Sequence, residues 1–302
     1  MNVMKGMYSE SDVENLRVKL LAMEALPTVR EGMKALQMNS LLDWLRSPEQ
    51  FCRRRNEFAH PLQRPYIFFP GLRAKMFWSA DDFPWAARVE AEAGRVIEEL
   101  EGVMRSRRGF QPFRHIEDGT FLMAGDKNGT GPDDRPDWNM FYFYFVGNRV
   151  EANCELCPRT AELLASIPRF TDTSIASFSA LNPGANIPPH YGPTNAVLRV
   201  HLGLHTPGGC RIRVGTKVSE WQSGRLLFLN DAFEHQVWHE GSETRIVLFF
   251  DVLHPDWRDE ELPMVDSFLR HGGPGGLSDF LSGMQQLREE DRLRLDGTKW
   301  WT

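Results

Sequence analysis

The stretch FSALNPGANIPPHYGPTNAVLRVHLGLHTPGG, residues 178–209, decides the fold. Within it Leu198, Val200, Leu202 and Leu204 alternate with Val197, Arg199, His201 and Gly203. A period of two marks a strand, because successive side chains point to opposite faces. One face is therefore greasy, and Arg199 and His201 point together from the other. With the greasy face packed between sheets, the Arg199/His201 face meets solvent or lines a polar cavity. A second segment repeats the design: Ile246, Leu248, Phe250 and Val252 share one face, while Arg245 heads the opposite one with Val247, Phe249 and Asp251. A guanidinium among apolar neighbours on both sides calls for a carboxylate partner, from the protein or from a ligand.

Outward from these strands the period-two pattern begins near Trp138, where Asn139 to Val146 alternates phenylalanine with methionine, tyrosine and valine. Short strands broken by Pro, Gly and Asn then run to about Val252, which predicts a mainly β jelly-roll, a double-stranded β-helix of cupin type, with flanking helices. Upstream, Val89, Ala93, Val96, Ile97, Leu100, Val103 and Met104 hold one face of a helix. The polar loop GDKNGTGPDDRPD (125–137) follows it. Residues 1–60 read as a helical extension, 61–258 as the jelly-roll domain and 259–302 as a helical tail around Phe268-Leu269 and Phe280-Leu281. HGGPGG (271–276) lacks the lysine and hydroxyl of a phosphate loop and reads as a hinge.

The 302 residues exceed the prior of about 150 per domain, and one large domain with flanks accounts for them. The net charge of -6 comes without a lysine or arginine block, which excludes the electrostatic footprint of a duplex nucleic-acid binder. No run approaches about 18 apolar residues, and MNVMKGMYSESDVENLRVKLL turns acidic before a signal-peptide core, so a cytoplasmic chain without membrane partners is expected. Four cysteines (52, 154, 157 and 210) include one Cys-x-x-Cys, short of a zinc ribbon; ordinary buried thiols are expected.

Between the two patterned strands lies NDAFEHQVWHEG (230–241). His190 and His235 each fall at a strand or loop edge of the expected jelly roll, where two imidazoles can meet at one metal; on spacing alone, core or surface histidines fit as well. The run from His190 through Val-Leu-Arg-Val-His-Leu-Gly-Leu, Trp221-x-x-Gly224, Asp231-x-Phe-Glu-His235-x-Val-Trp238, Arg245 and Asp251-Val-x-His254-Pro255 resembles the aspartyl/asparaginyl β-hydroxylase family of iron(II)- and 2-oxoglutarate-dependent dioxygenases. The likeness extends through PGLRAKMFW (70–78) and NRVEANCELCPRTAELLASIP (148–168) and covers roughly residues 64–257.

The resemblance implies that His190 and His235 are the iron ligands. The usual triad adds a carboxylate two residues after the first histidine; Gly192 stands there, as the family expects, and water completes the metal's facial set. Asp231 is then a catalytic residue that holds a metal-bound water or orients His235. Arg245 matches the arginine that grips the distal carboxylate of 2-oxoglutarate. Ser179, Arg199 and His201 match further co-substrate contacts, Val237 packs beside them, and Trp138, Trp221 and Trp238 are candidate walls. The implied reaction, with O2, releases succinate and carbon dioxide and hydroxylates an unactivated carbon. Halogenases of the wider superfamily share such a glycine, so halogenase-type use of the site stands as an alternative, as does a non-catalytic binding or sensor protein. Vertebrate members acting on epidermal-growth-factor-like domains place basic side chains at the positions of Ser177 and Val197. Their absence here, and the absence of a membrane anchor as in lipid A hydroxylases, shifts the expected substrate to a free, peptidyl or carrier-tethered amino acid.

Overall fold

The structure is a computed structural model, and it describes residues 71–106, 110–112, 138–145, 147–192 and 194–271, with positions 27, 30, 62, 63, 65 and 69. The expected helical extension over 1–60, the loop at 125–137, the hinge beyond His271 and the end of the tail therefore lie outside the described residues, apart from positions 27 and 30.

In chain order the elements are β1 (Phe77–Trp78), α1 (Ala86–Ala91), α2 (Ala93–Ser106), β2 (Gln111–Pro112), β3 (Trp138–Phe145), β4 (Asn148–Arg149), α3 (Glu151–Leu156), α4 (Pro158–Ser166), β5 (Phe170–Thr171), β6 (Ile175–Leu181), β7 (Asn186–His190), β8 (Val197–His205), β9 (Cys210–Val214), β10 (Lys217–Glu220), β11 (Leu226–Leu229), β12 (His235–His239), β13 (Arg245–Leu253) and α5 (Leu262–His271). A large antiparallel sheet runs β1-β11-β8-β13-β6-β3-β2, and β10-β9-β12-β7 forms a smaller one. Two facing antiparallel sheets are the expected jelly-roll architecture.

The alternation read from residues 197–204 and 245–252 holds, but the greasy face turns the other way. Leu198, Val200, Leu202, Leu204, Ile246, Leu248, Phe250 and Val252 do not lie between the sheets. They join one core cluster with Ala93, Val96, Leu100 and Val103 of α2 and with Leu163 and Leu164 of α4. The opposite face, with Val247 and Phe249, meets Ile187, Ile212, Val214 and Val237 of the small sheet. The polar members of β8 and β13 thus look into the sandwich interior.

Two helices also stand where strands were expected. Asn153, Cys154, Thr160, Ala161, Leu163 and Leu164 are buried at helical spacing, and Pro158 opens α4 at its first turn, where its missing N–H costs nothing. Glu99 of α2 accepts from the backbone N–H of Arg159 and Thr160 at 2.8 Å each and so caps α4. In β3 an irregularity between Tyr142 and Tyr144 reverses the facing, so Phe141, Phe143 and Tyr144 take the helix side while Met140, Tyr142 and Phe145 take the other. Cys154, Cys157 and Cys210 are buried free thiols, and burial pushes Cys157 up to about 12. No helix among the described residues is long and apolar enough to cross a membrane.

His254 closes the far end of β13. Its Nε2 faces the Arg73 carbonyl at 3.2 Å, and its Nδ1 accepts from Asp256 N–H, so the buried ring is neutral. Burial holds its pKa down at about 4. The native value lies below the unfolded one, so the unfolded chain takes up the proton first and stability is lost as pH falls from about 6.5 towards 4. In urea denaturation His254→Asn, which offers an acceptor but does not titrate, is expected to be the less stable protein at pH 7, with the gap to wild type closing by up to about 3 kcal/mol by pH 4. A gap that stays constant with pH contradicts this account.

Candidate active site

His190 ends β7 and His235 opens β12, and the two are paired across the small sheet. Their ring centroids are 4.0 Å apart with the planes tilted by 52°. Nδ1 of His235 lies 3.0 Å from the carbonyl oxygen of Phe233. A carbonyl only accepts, so Nδ1 carries the proton and Nε2 is left with its lone pair, as a metal ligand requires. Burial first, and then His190, push the His235 pKa well below its ordinary value, which keeps the imidazole neutral. The orienting group is therefore the Phe233 carbonyl, not the Asp231 carboxylate.

Asp231 does something else. Its backbone oxygen accepts from Gly192 N–H at 2.6 Å, and its carboxylate fills the space beside the Gly192 Cα, where any Cβ would collide with it. A carboxylate from the loop before β12 thus sits against the position two residues after His190, and a Cβ at 192 would displace it. Asp231 is fully buried. Arg199 Nη1 lies 2.8 Å from its Oδ2, yet off the line of a hydrogen bond, and both carboxylate oxygens lack a hydrogen-bond donor among the described residues. Burial raises its pKa, Arg199 opposes that and Asp251 adds to it.

Arg199 is held more firmly by Asp251, its cross-strand partner on β13. Nε and Nη2 donate to Oδ1 and Oδ2 at 3.1 Å each, and Ser174 Oγ donates to Oδ2 at 2.5 Å. One guanidinium thus serves two buried carboxylates. Sequence reading placed Arg199 among the co-substrate contacts; the structure gives it this internal ion pair, and Asp251 and Ser174 were missed as its anchors. The parity of β13 does put Asp251 on the Arg199 face, but which strand neighbours β8 is not local information.

Arg245 has the opposite condition. It is buried, its guanidinium lies over the Trp221 ring at 4.5 Å, Nη1 donates to the Ser179 carbonyl at 3.4 Å, the Cys210 thiol is a further neighbour, and Nε has no hydrogen-bond partner among the described residues. No carboxylate pairs with it among the described residues. His201 is near the same ring system: Trp221 Nε1 donates to its Nδ1 at 2.9 Å. Ser179 Oγ accepts from Trp138 Nε1 at 2.8 Å. Val237 is buried in the apolar cluster with Ile187 and Ile212. Of the three tryptophans expected as walls, Trp138 and Trp221 pack with the apolar cluster between the sheets. Trp238 does not; half-buried beside Gln236 on the outward face of β12, it packs under Arg211.

The donor set is therefore two imidazoles, with His235 held neutral, beside a carboxylate with unfilled acceptors, and elsewhere between the sheets a guanidinium without a carboxylate partner among the described residues. His190 and His235 fit a divalent metal, Asp231 fits a water on that metal, and Arg245 fits a ligand carboxylate. Among the described residues no third His, Cys, Asp or Glu joins the pair in a metal-binding group.

Arg199→Met leaves two buried carboxylates facing each other. The variant is expected to lose about 3–5 kcal/mol of stability at pH 7 and to regain part of it on acidification as a carboxyl takes up a proton. Urea denaturation at pH 7 and pH 5.5 checks this; a loss below about 1 kcal/mol, the range of a surface pair, excludes a structural role for the ion pair.

Comparison with known proteins bears on this geometry. Residues 90–255 match the family described as Aspartyl/Asparaginyl beta-hydroxylase. The chain is 34% identical over 201 residues to the ornithine lipid ester-linked acyl 2-hydroxylase of Rhizobium tropici, over 63% of this chain and 67% of that protein. It is 32% identical over 211 residues to the aspartyl/asparaginyl beta-hydroxylase of Homo sapiens, over 67% of this chain and 26% of that protein. Identity to the Homo sapiens aspartate beta-hydroxylase domain-containing protein 2 is 39% over 219 residues, covering 70% of this chain and 56% of the relative. The chain thus spans about a quarter and about half of these two human relatives. The matched residues contain the paired histidines, Asp231, Arg199 and Arg245, and this chain belongs to the aspartyl/asparaginyl beta-hydroxylase family.

Proposed function

We propose that the protein is an iron(II)- and 2-oxoglutarate-dependent hydroxylase acting on an unactivated carbon of an amino acid, free, peptidyl or carrier-tethered. The observation that carries the reading is Arg245: a buried guanidinium with, among the described residues, an unpartnered Nε and no carboxylate beside it. Such a group is costly to keep unless a ligand anion fills the place. The planar fork of arginine suits a carboxylate, and the neighbouring His201 supplies a further polar group.

Bound together, iron(II), 2-oxoglutarate and oxygen supply an oxidative decarboxylation that yields succinate and carbon dioxide and oxidises a C–H bond. His190 and His235 hold the metal, and the Phe233 carbonyl keeps His235 in the ligating tautomer. Asp231, which has no hydrogen-bond donor among the described residues, would accept from a water on that metal, and Gly192 leaves room for its carboxylate. Arg245 grips the distal carboxylate of the co-substrate, and Trp138 and Trp221 help to exclude water.

A second substrate class is favoured by a specific observation. Ser177 and Val197, where the vertebrate members were expected to carry basic side chains, are both buried, and the Ser177 hydroxyl faces the Met140 sulfur at 3.8 Å. These positions offer no cation to an acidic substrate. One relative bears the name of an ornithine lipid ester-linked acyl 2-hydroxylase, so a neutral acyl chain is the second reading.

Anaerobic titration with iron(II) and 2-oxoglutarate is expected to give a visible charge-transfer band that His190→Ala and His235→Ala abolish. Wild-type protein without the band is not an enzyme of this type. Arg245→Met is expected to weaken 2-oxoglutarate binding by about 30-fold or more, from at least about 2 kcal/mol for an interaction with a buried charge. Succinate release stimulated by amino acids and peptides, against release stimulated by ester-linked acyl lipids, decides between the substrate classes, and a chlorinated product replaces hydroxylation with halogenation.

A further inference from the structure

Trp221 touches both groups proposed to hold the co-substrate, through two different parts of its ring. It follows β10 in a turn that is clamped onto β8. Gly203 N–H donates to the Arg225 carbonyl at 3.0 Å and Gly224 N–H to the Gly203 carbonyl at 2.8 Å. Ser223 Oγ donates to the Leu204 carbonyl at 3.0 Å. The Gln222 carbonyl occupies the place that a Cβ at residue 203 would need, so only glycine lets the turn approach this closely. The result is a buried indole beside His201, two residues along β8 from the clamp.

The indole N–H has one possible role, because it donates and never accepts. Trp221 Nε1 lies 2.9 Å from His201 Nδ1, which must then present a lone pair, and the single imidazole proton sits on Nε2. The two rings are nearly parallel, 25° apart with centroids at 5.8 Å. Phe249, the cross-strand partner of His201, lies 5.4 Å away. Arg199 lies over Phe249 at 4.4 Å and Arg245 over Trp221 at 4.5 Å. The order Arg199, Phe249, His201, Trp221, Arg245 is thus a ladder of three rings closed at each end by a guanidinium. A charged imidazole in the middle would be a third cation in a buried row, and burial together with Arg245 and Arg199 pushes its pKa well below the ordinary value.

We infer that Trp221 is a positioning residue for the anion subsite: its N–H fixes His201 as the neutral Nε2–H tautomer, and its ring face steadies the Arg245 guanidinium. Resting on the proposed binding of 2-oxoglutarate, the role assigns the subsite two donors, an imidazole N–H and a guanidinium, neither of which can turn into an acceptor. A tryptophan that only fills the core needs no aligned N–H, and a ring of equal volume without one would serve as well.

That contrast supplies the test. Trp221 is replaced in the full chain by β-(3-benzothienyl)alanine, which keeps the bicyclic face and puts sulfur in place of the N–H, and separately by Trp221→Leu, which removes the face as well. Nitrogen-15 shifts of the His201 ring are read without added metal, and 2-oxoglutarate affinity by calorimetry with manganese(II) in the place of iron(II). Wild type is expected to show the Nε2–H tautomer. The benzothienyl protein, melting within a few degrees of wild type, is expected to show mixed tautomers and about fivefold to tenfold weaker binding, from the loss of about one hydrogen bond. Trp221→Leu is expected to bind more weakly still. Unchanged tautomer and affinity in the benzothienyl protein overturn the positioning role while leaving co-substrate binding standing. A wild type that shows the fixed tautomer but binds no 2-oxoglutarate overturns the proposed co-substrate, and the role of Trp221 with it.

Discussion

The cavity depends on one guanidinium shared between two buried carboxylates. Arg199 grips Asp251 through two hydrogen bonds and faces Asp231 at 2.8 Å without a proper bond. One positive charge against two negative ones leaves the Asp231 end of this group short of positive charge, in the place where Gly192 and the paired histidines meet. A cation held by His190 and His235, as proposed, would supply what is lacking there. Arg245 carries the reverse imbalance, a buried cation with no anion beside it among the described residues. Among the described residues the space between the sheets is therefore electrically incomplete in two places and with opposite signs, and the proposed metal and carboxylate ligand would complete both.

This polarity follows from how the sheets divide their faces. The most regular apolar rows of β8 and β13 are used on the helices, where Val96, Leu100 and Leu164 meet them. The interior of the sandwich receives the mixed rows, with apolar Val214, Val237 and Val247 around polar Arg199, His201 and Asp251. A sandwich that closed its sheets on the greasy rows would have had no room for buried charge. Helix α2, pinned to α4 through Glu99, is thus part of the reason the site exists: it takes up the apolar face that the sheets do not press together.

How much of this could be read in advance follows the range of the signal. Alternation assigned Arg199 with His201 and Arg245 with Asp251 to common faces because parity is local. It could not say what each face would meet, and the greasy face went to helices instead of a second sheet. The stretch 151–166 was passed over as strand because the surrounding β pattern overrode Pro158 and the helical spacing of Cys154, Thr160, Leu163 and Leu164. His190 and His235 were only weakly legible from their places at strand edges, and the family likeness singled them out, since their meeting depends on the register of β7 with β12. The Phe233 carbonyl had no legible signal at all, since every residue has a carbonyl. Trp238 did have one, because it alternates with His235 and Val237 and so had to face outward.

Gly192 and Asp231 show how a carboxylate can change its tether without leaving its place. In the common triad it rides on the strand two residues past the first histidine. Here the position has no side chain, and the carboxylate that fills the space comes from the loop before the second histidine, closed by the Gly192 N–H to Asp231 carbonyl bond of 2.6 Å. The two residues constrain each other: a Cβ at 192 would displace the carboxylate, and without that carboxylate the glycine would leave a buried polar void. The exchange also alters what the carboxylate can do. Facing Arg199, Asp231 is partly neutralised before any metal arrives, which suits an acceptor for metal-bound water better than a direct ligand. A carboxylate held in this way would leave His190 and His235 free to share a metal with the co-substrate that the proposed oxidation requires.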